Sequence, residues 1–152
     1  MVGADFAAGQ YRAGVKKGII EICSVAQKID GNVSDIRVSN SGSVIFSVQN
    51  VPGSVVSFTG CENIGLASNM LRPTPTAIGN GDWLVGSEIP AGQYKGTVDN
   101  TQAVKLGSIT QHNGKDVVDL ALGNEGDVIF TVQDIPGSVV SFSGLVKIQK
   151  IS

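Results

Sequence analysis

The sequence predicts an all-β protein made of two tandem small β-sandwich or barrel-like modules related by internal duplication. Three observations predict it. The chain carries 20 Gly and five Pro among many Val, Ile, Ser and Thr, with charged residues at only 16%; such a mix suits turn-rich pleated structure better than helix. A long motif occurs twice, GSVIFSVQNVPGSVVSFTG from Gly42 to Gly60 and GDVIFTVQDIPGSVVSFSG from Gly126 to Gly144. Within it, apolar and polar residues alternate with the period of two that places one strand face in a core.

Taken in order, the first copy opens with VGADFAAGQYRAG from Val2. Ala8-Gly9 marks a turn there, and a strand starts at Tyr11. The β-rich segments Ile19 to Val25 and Val33 to Val38 follow. Val44, Phe46 and Val48 then form the inward face of a strand, opposite Ile45, Ser47 and Gln49. Asn50-Val51-Pro52-Gly53 is a turn, because Pro presets φ and Gly accepts positive φ. The chain is expected to reverse there into Val55 to Phe58 as a closing hairpin. The second copy repeats the order: VGSEIPAGQYKGT from Val85, a strand from Tyr94, looser counterparts at Val104 to Ile109 and Val117 to Leu122, then Val128, Phe130, Val132, the turn at Asp134 to Gly137, and Val139 to Phe142. About five or six short strands per module suit a small sandwich or barrel. The expected organisation is a first β module over 1–66, a linker over 67–81 and a second β module over 82–152. Pro73 and Pro75 favour extended backbone in the linker and limit its freedom.

Gly81 to Val98, GDWLVGSEIPAGQYKGTV, resembles a module repeated in actinobacterial and Firmicute surface proteins and their phages, with a pattern like "GxYxVGxDIxPGTYxxxG" and a later SGC-like segment. Asp82, Trp83, Val85, Gly86, Ile89, Gly92 and Tyr94 match it. The resemblance implies a non-enzymatic display or binding role. It also implies a disulfide, since Cys23 and Cys61 take the places of two cysteines that face each other in that family. The second copy departs from the pattern, with Leu106 and Leu145 at the aligned positions.

The candidate chemical residues are few. His112, the single histidine, lies in Gln111-His112-Asn113-Gly114, which reads as a turn; nucleophilic catalysis needs more than one such group. Cys23 and Cys61, read from the residues alone, lack the C-x-x-C spacing of zinc or redox sites and cannot fill a tetrahedral shell, which leaves a cystine or a pair of buried thiols. Asp116-Val117-Val118-Asp119 and Asn124-Glu125-Gly126-Asp127 lack the spacing of a calcium loop and read as solvated turns or strand edges. Gly79-Asn80-Gly81 has no Lys-Ser/Thr after it and reads as linker. Trp83, Tyr11 and Tyr94 open equivalent segments and are expected to pack beneath the turns rather than form a recognition patch. Asn32-Val33-Ser34 matches a glycosylation acceptor, a motif short enough to arise by chance.

No catalytic residue, cofactor or metal is expected. A net charge of -2 offers no footprint for phosphate backbones, so nucleic acid is not an expected partner. No run approaches the length of a membrane span, and the opening lacks the basic start and apolar run of a secretory signal. The best reading is a structural protein of a phage virion, a capsid decoration or accessory coat protein assembled in the host cytoplasm. It would bind capsid or other virion proteins as a homo-oligomer within the assembly. The alternative is a secreted or cell-surface bacterial binding or adhesion module.

Overall fold

The computed structural model describes residues 1–5, 7–71 and 77–152, and the expected linker prolines Pro73 and Pro75 lie outside them. The protein is all-β. Two compact units, Met1–Met70 and Leu71–Ser152, each hold their own core.

The strands of module 1 are β1 (Gly9–Val15), β2 (Cys23–Ile29), β3 (Asn32–Ser39), β4 (Ser43–Val48), β5 (Val55–Thr59) and β6 (Cys61–Leu66), followed by a 3-10 turn at Ala67–Asn69. Those of module 2 are β7 (Gly81–Leu84), β8 (Gly92–Val98), β9 (Gly107–Asn113), β10 (Asp116–Gly123), β11 (Asp127–Val132), β12 (Val139–Ser143) and β13 (Leu145–Lys150). Module 1 has two sheets of order β4-β1-β6 and β3-β2-β5; module 2 has β11-β8-β13 and β10-β9-β12-β7, and every pairing between these strands is antiparallel. Alternating residues of both sheets meet in each core. Val44, Phe46 and Val48 face Val25 and Cys23 in module 1, as Val128, Phe130 and Val132 join Ile109, Val140 and Phe142 in module 2.

The turn expected to close a hairpin does something else. β4 pairs with β1 while β5 pairs with β2, so Val51-Pro52-Gly53-Ser54 carries the chain from one sheet to the other. Ser54 N–H donates to the Val51 carbonyl at 3.1 Å, and Gly53 has φ 85°. Pro followed by a left-handed Gly is type II chemistry, whose twist splays flanking strands instead of pairing them. Module 2 repeats the corner at Ile135 to Ser138, with Gly137 at φ 83°. The hairpins are β2–β3 and β9–β10. Asp30 and Gly31, at φ 51° and 80°, form the first turn with both central residues left-handed, the twist that two-residue hairpins favour.

Several segments differ from expectation in extent. Ile19 to Ile22 and Val104 to Leu106 are exposed loop, and the strands after them begin at Cys23 and Gly107. β6 and β13 return beside β1 and β8, each with a register shift and a left-handed residue, Asn63 or Lys147, at φ 54°; this is a β-bulge kept in both copies. The supposed linker is partly module. Ala67 is buried beside β1, while Ile78 bridges Ile148, and the Asn80 side chain exchanges two hydrogen bonds with the Leu145 backbone.

Candidate functional site

A disulfide joins Cys23 to Cys61, with the Cα atoms 4.7 Å apart, and ties β2 in one sheet of module 1 to β6 in the other. Strand pairing places the counterparts. Cys23 opposes Ser39 as Gly107 opposes Gly123, and Cys61 opposes Val15 as Leu145 opposes Val98. The residue facing Leu145 is therefore Gly107, not the Leu106 of the sequence alignment. The connection before β9 is one residue longer than that before β2, 99–106 against 16–22, which shifts the alignment. Gly107 leaves room for its partner: a Cβ there would stand 2.5 Å from Leu145 Cδ2, so the leucine side chain would have to shift. One copy spans its sheets with sulfur and the other with a leucine over a glycine.

A buried polar staple, absent from the sequence reading, holds each corner. Gln27 is fully buried, and its Nε2 donates to the Gln49 carbonyl at 3.0 Å and to Ser54 Oγ at 2.9 Å, while its Oε1 accepts from Gln49 N–H at 2.9 Å. Ser54 Oγ donates onward to the Val51 carbonyl. Gln111, Gln133, Ser138 and Ile135 reproduce every bond. A buried amide satisfied on both ends fixes geometry without leaving a desolvated group unpaired. This accounts for the fidelity of the VQ-x-x-PGS segment between copies.

The aromatic residues pack as structure. Tyr11 and Tyr94 each donate the phenolic O–H to a carbonyl four residues upstream, Ala7 at 2.7 Å and Pro90 at 2.6 Å. Trp83 and Tyr94 lie in the core of module 2, where Tyr94 meets Phe142 edge-on at 6.2 Å. Burial pushes the Tyr94 phenol up to about 12.

His112 is not in a turn. It sits in β9, and the reversal falls one step later at Gly114-Lys115. Asp82 on β7, Ser141 on β12 and His112 on β9 occupy one face of three neighbouring strands. Ser141 Oγ donates to Asp82 Oδ1 at 2.6 Å and lies 3.3 Å from His112 Nε2. A serine nucleophile needs its proton directed at the imidazole, with the acid behind that ring. Here the acid holds the serine proton itself, and both Asp82 and His112 are buried. The trio is arranged as a polar brace across the sheet.

The acid-bearing segments also have local duties. Asp119 Oδ1 accepts from the Leu120 amide at 2.8 Å, and Asp127 Oδ1 accepts from Thr97 Oγ1 at 2.8 Å. Among the described residues no three His, Cys, Asp or Glu side chains gather as a metal set. Asn32 is exposed at the start of β3. Among the described residues no helix is long and apolar enough to cross a membrane.

The remaining feature common to both copies is a surface. On β3, Ile36 and Val38 oppose Ala26 and Ser24, whose strand neighbours Val25 and Cys23 point into the core. Ile36 and Val38 therefore point away from it, and they are 55% and 58% exposed. On β10, Leu120 and Leu122 hold the equivalent places opposite Thr110 and Ser108, 49% and 61% exposed. Asp35 and Arg37 take the alternate positions of β3, so its polarity is the inverse of a core strand. The rule that turns the apolar face of an alternating strand inward would bury Ile36 and Val38, so the sequence could not single out this outward stripe.

No family model, curated protein or solved structure matches the chain.

Proposed function

We propose that the protein is a non-enzymatic structural component of a phage virion, a capsid decoration or accessory coat protein. The observation that carries this reading is the aliphatic stripe set outward at the same place on both modules, Ile36 and Val38 on β3 and Leu120 and Leu122 on β10. Exposed aliphatic side chains in a continuous row favour burial against another protein. The presence of such a row in each copy suits a repeating partner such as a shell lattice. Low charge, 16% of residues, lowers the cost of desolvating the surface.

Cosedimentation of the purified chain with empty tailed-phage shells tests it. Saturation at a stoichiometry set by shell symmetry is expected. The double variants Ile36→Lys/Val38→Lys and Leu120→Lys/Leu122→Lys should weaken binding by about tenfold or more, because each places charge in an interface. Their unfolding should be unchanged, since all four positions are exposed. Absence of binding to any shell, with monomeric behaviour, overturns the reading.

The Cys23–Cys61 disulfide favours a second reading, a secreted or cell-surface binding module, since such bonds persist in oxidising surroundings. Virion surfaces share that condition. Binding to bacterial cells but to no shell would favour this alternative.

A further inference from the structure

Each module carries a loop between two strands of different sheets, 16–22 between β1 and β2 and 99–106 between β8 and β9. One glycine grips both ends of each loop. The Gly60 carbonyl accepts from Lys16 N–H at 3.1 Å, and the Gly144 carbonyl from Asp99 N–H at 2.9 Å. At the other end a Cβ on Gly60 would strike the Ile22 carbonyl oxygen, and one on Gly144 that of Leu106. The last residues of the loops therefore correspond: Ile20-Glu21-Ile22 precedes Cys23 as Val104-Lys105-Leu106 precedes Gly107.

These segments are open to the same degree. Ile20 is 77% exposed and Val104 78%, Ile22 47% and Leu106 51%. Neither core uses these aliphatic side chains, yet both copies have them. What differs is charge. Glu21 in one loop is Lys105 in the other, both exposed, and the loop starts are opposed in the same way, Lys16 and Lys17 against Asp99. Stacking Ile20 and Ile22 on the same pair of another chain brings Glu21 to Glu21, and stacking Val104 and Leu106 likewise brings Lys105 to Lys105. Like charges set directly against each other weaken association. Unlike loops meet aliphatic to aliphatic and acid to base.

We infer that the protein associates with a second copy of itself through unlike loops, residues 19–22 of one copy docking on 103–106 of the other. Ile20 and Ile22 pack against Val104 and Leu106, and Glu21 pairs with Lys105. Each chain has one loop of each kind, so a two-fold pair joined twice, or head-to-tail growth, satisfies every loop. The contact is small beside a standard interface of about 800 Å² per partner, so the association is weak and reversible. It adjoins the β3 and β10 stripes, uses none of their residues and does not rest on the virion reading.

Sedimentation equilibrium of the full oxidised chain at low salt tests it. Self-association should be measurable below about 1 mM. Glu21→Lys and Lys105→Glu should each weaken it by about tenfold, because each leaves unlike loops with the same charge. Unfolding should be unchanged, since both positions are exposed. The double variant Glu21→Lys/Lys105→Glu should regain wild-type affinity. An equimolar mixture of the two single variants should regain it too, because every loop of one then finds an unlike loop of opposite charge on the other. A chain monomeric up to about 1 mM overturns the inference, as does a double variant no stronger than the single ones. Single reversals without effect overturn it as well: a mixture equal to the wild type then assigns the contact to the stripes, and a mixture tighter than the wild type assigns it to like loops.

Discussion

Gln27 and Gln111 show how much one buried side chain can fix. Each satisfies a backbone N–H and a backbone C=O at the foot of its corner and binds the serine that closes it. Gln111→Leu keeps the volume but strands the Gln133 N–H and C=O, so it should cost about 2 to 4 kcal/mol in denaturant unfolding. Half of this was legible in the sequence, since Gln49, Ser54, Gln133 and Ser138 lie inside the repeated motif. Gln27 and Gln111 sit in stretches that otherwise diverged, and a long-range partner leaves no local signature. Tyr94 carries a second residue-scale prediction. Its phenol is raised from 10.0 to about 12 by burial, so the neutral form is favoured in the fold. The contribution is complete below pH 10 and is lost as pH rises through 12. The loss is on the order of 2 to 3 kcal/mol. Alkaline unfolding followed by tyrosinate absorbance should show it, and Tyr94→Phe should remove the pH-dependent part after an initial cost of about 1 kcal/mol for the bond to Pro90.

At the scale of elements, the strands were more legible than their partners. The alternation of Val44, Phe46 and Val48 located β4, yet alternation says only that one face is buried, not which sheet the strand joins. The Pro-Gly turn contained that information in its handedness, because a type II turn does not close a tight hairpin. His112 was misplaced for a similar reason: Asn113-Gly114 does signal a reversal, but the turn begins after Asn113 and leaves the histidine in β9. The exchange of Cys23 and Cys61 for Gly107 and Leu145 yields a test of equivalent spacers. By loop-entropy reasoning, reducing a bond across a sequence separation of 38 should cost module 1 roughly 4 kcal/mol. Cys23→Gly/Cys61→Leu should recover part of that loss and be more stable than Cys23→Ala/Cys61→Ala, because leucine refills the gap between sheets that alanine leaves as a cavity. Thermal unfolding of the two double variants under reducing conditions orders them; a leucine variant no better than the alanine one would show that the corresponding space in module 1 has a different shape.

Across the whole molecule, duplication has produced two cores of unequal strength. The module 2 cluster contains Trp83, Tyr94, Phe130, Phe142 and Leu145, and its larger sheet has four strands. Among the described residues of module 1, Phe46 is the one aromatic in the buried cluster, with Val, Ala and Cys around it, and both sheets described for it have three strands. Since apolar burial scales with side-chain area, module 1 should depend on its disulfide, while module 2 has none to lose. Reduction should therefore separate the two unfolding transitions. The single tryptophan lies in module 2, so its fluorescence follows that module alone, whereas far-ultraviolet circular dichroism follows both. In reducing buffer the dichroism should begin to fall at lower urea than the fluorescence does, by an interval that shrinks when the bond is re-formed. Hydrogen exchange should assign the early step to β1 through β6, with their amides losing protection on reduction while those of β8 through β13 keep theirs. A single coincident transition in the reduced chain would mean that the modules unfold as one cooperative unit, and that the stronger core supports the weaker despite the divergence between them.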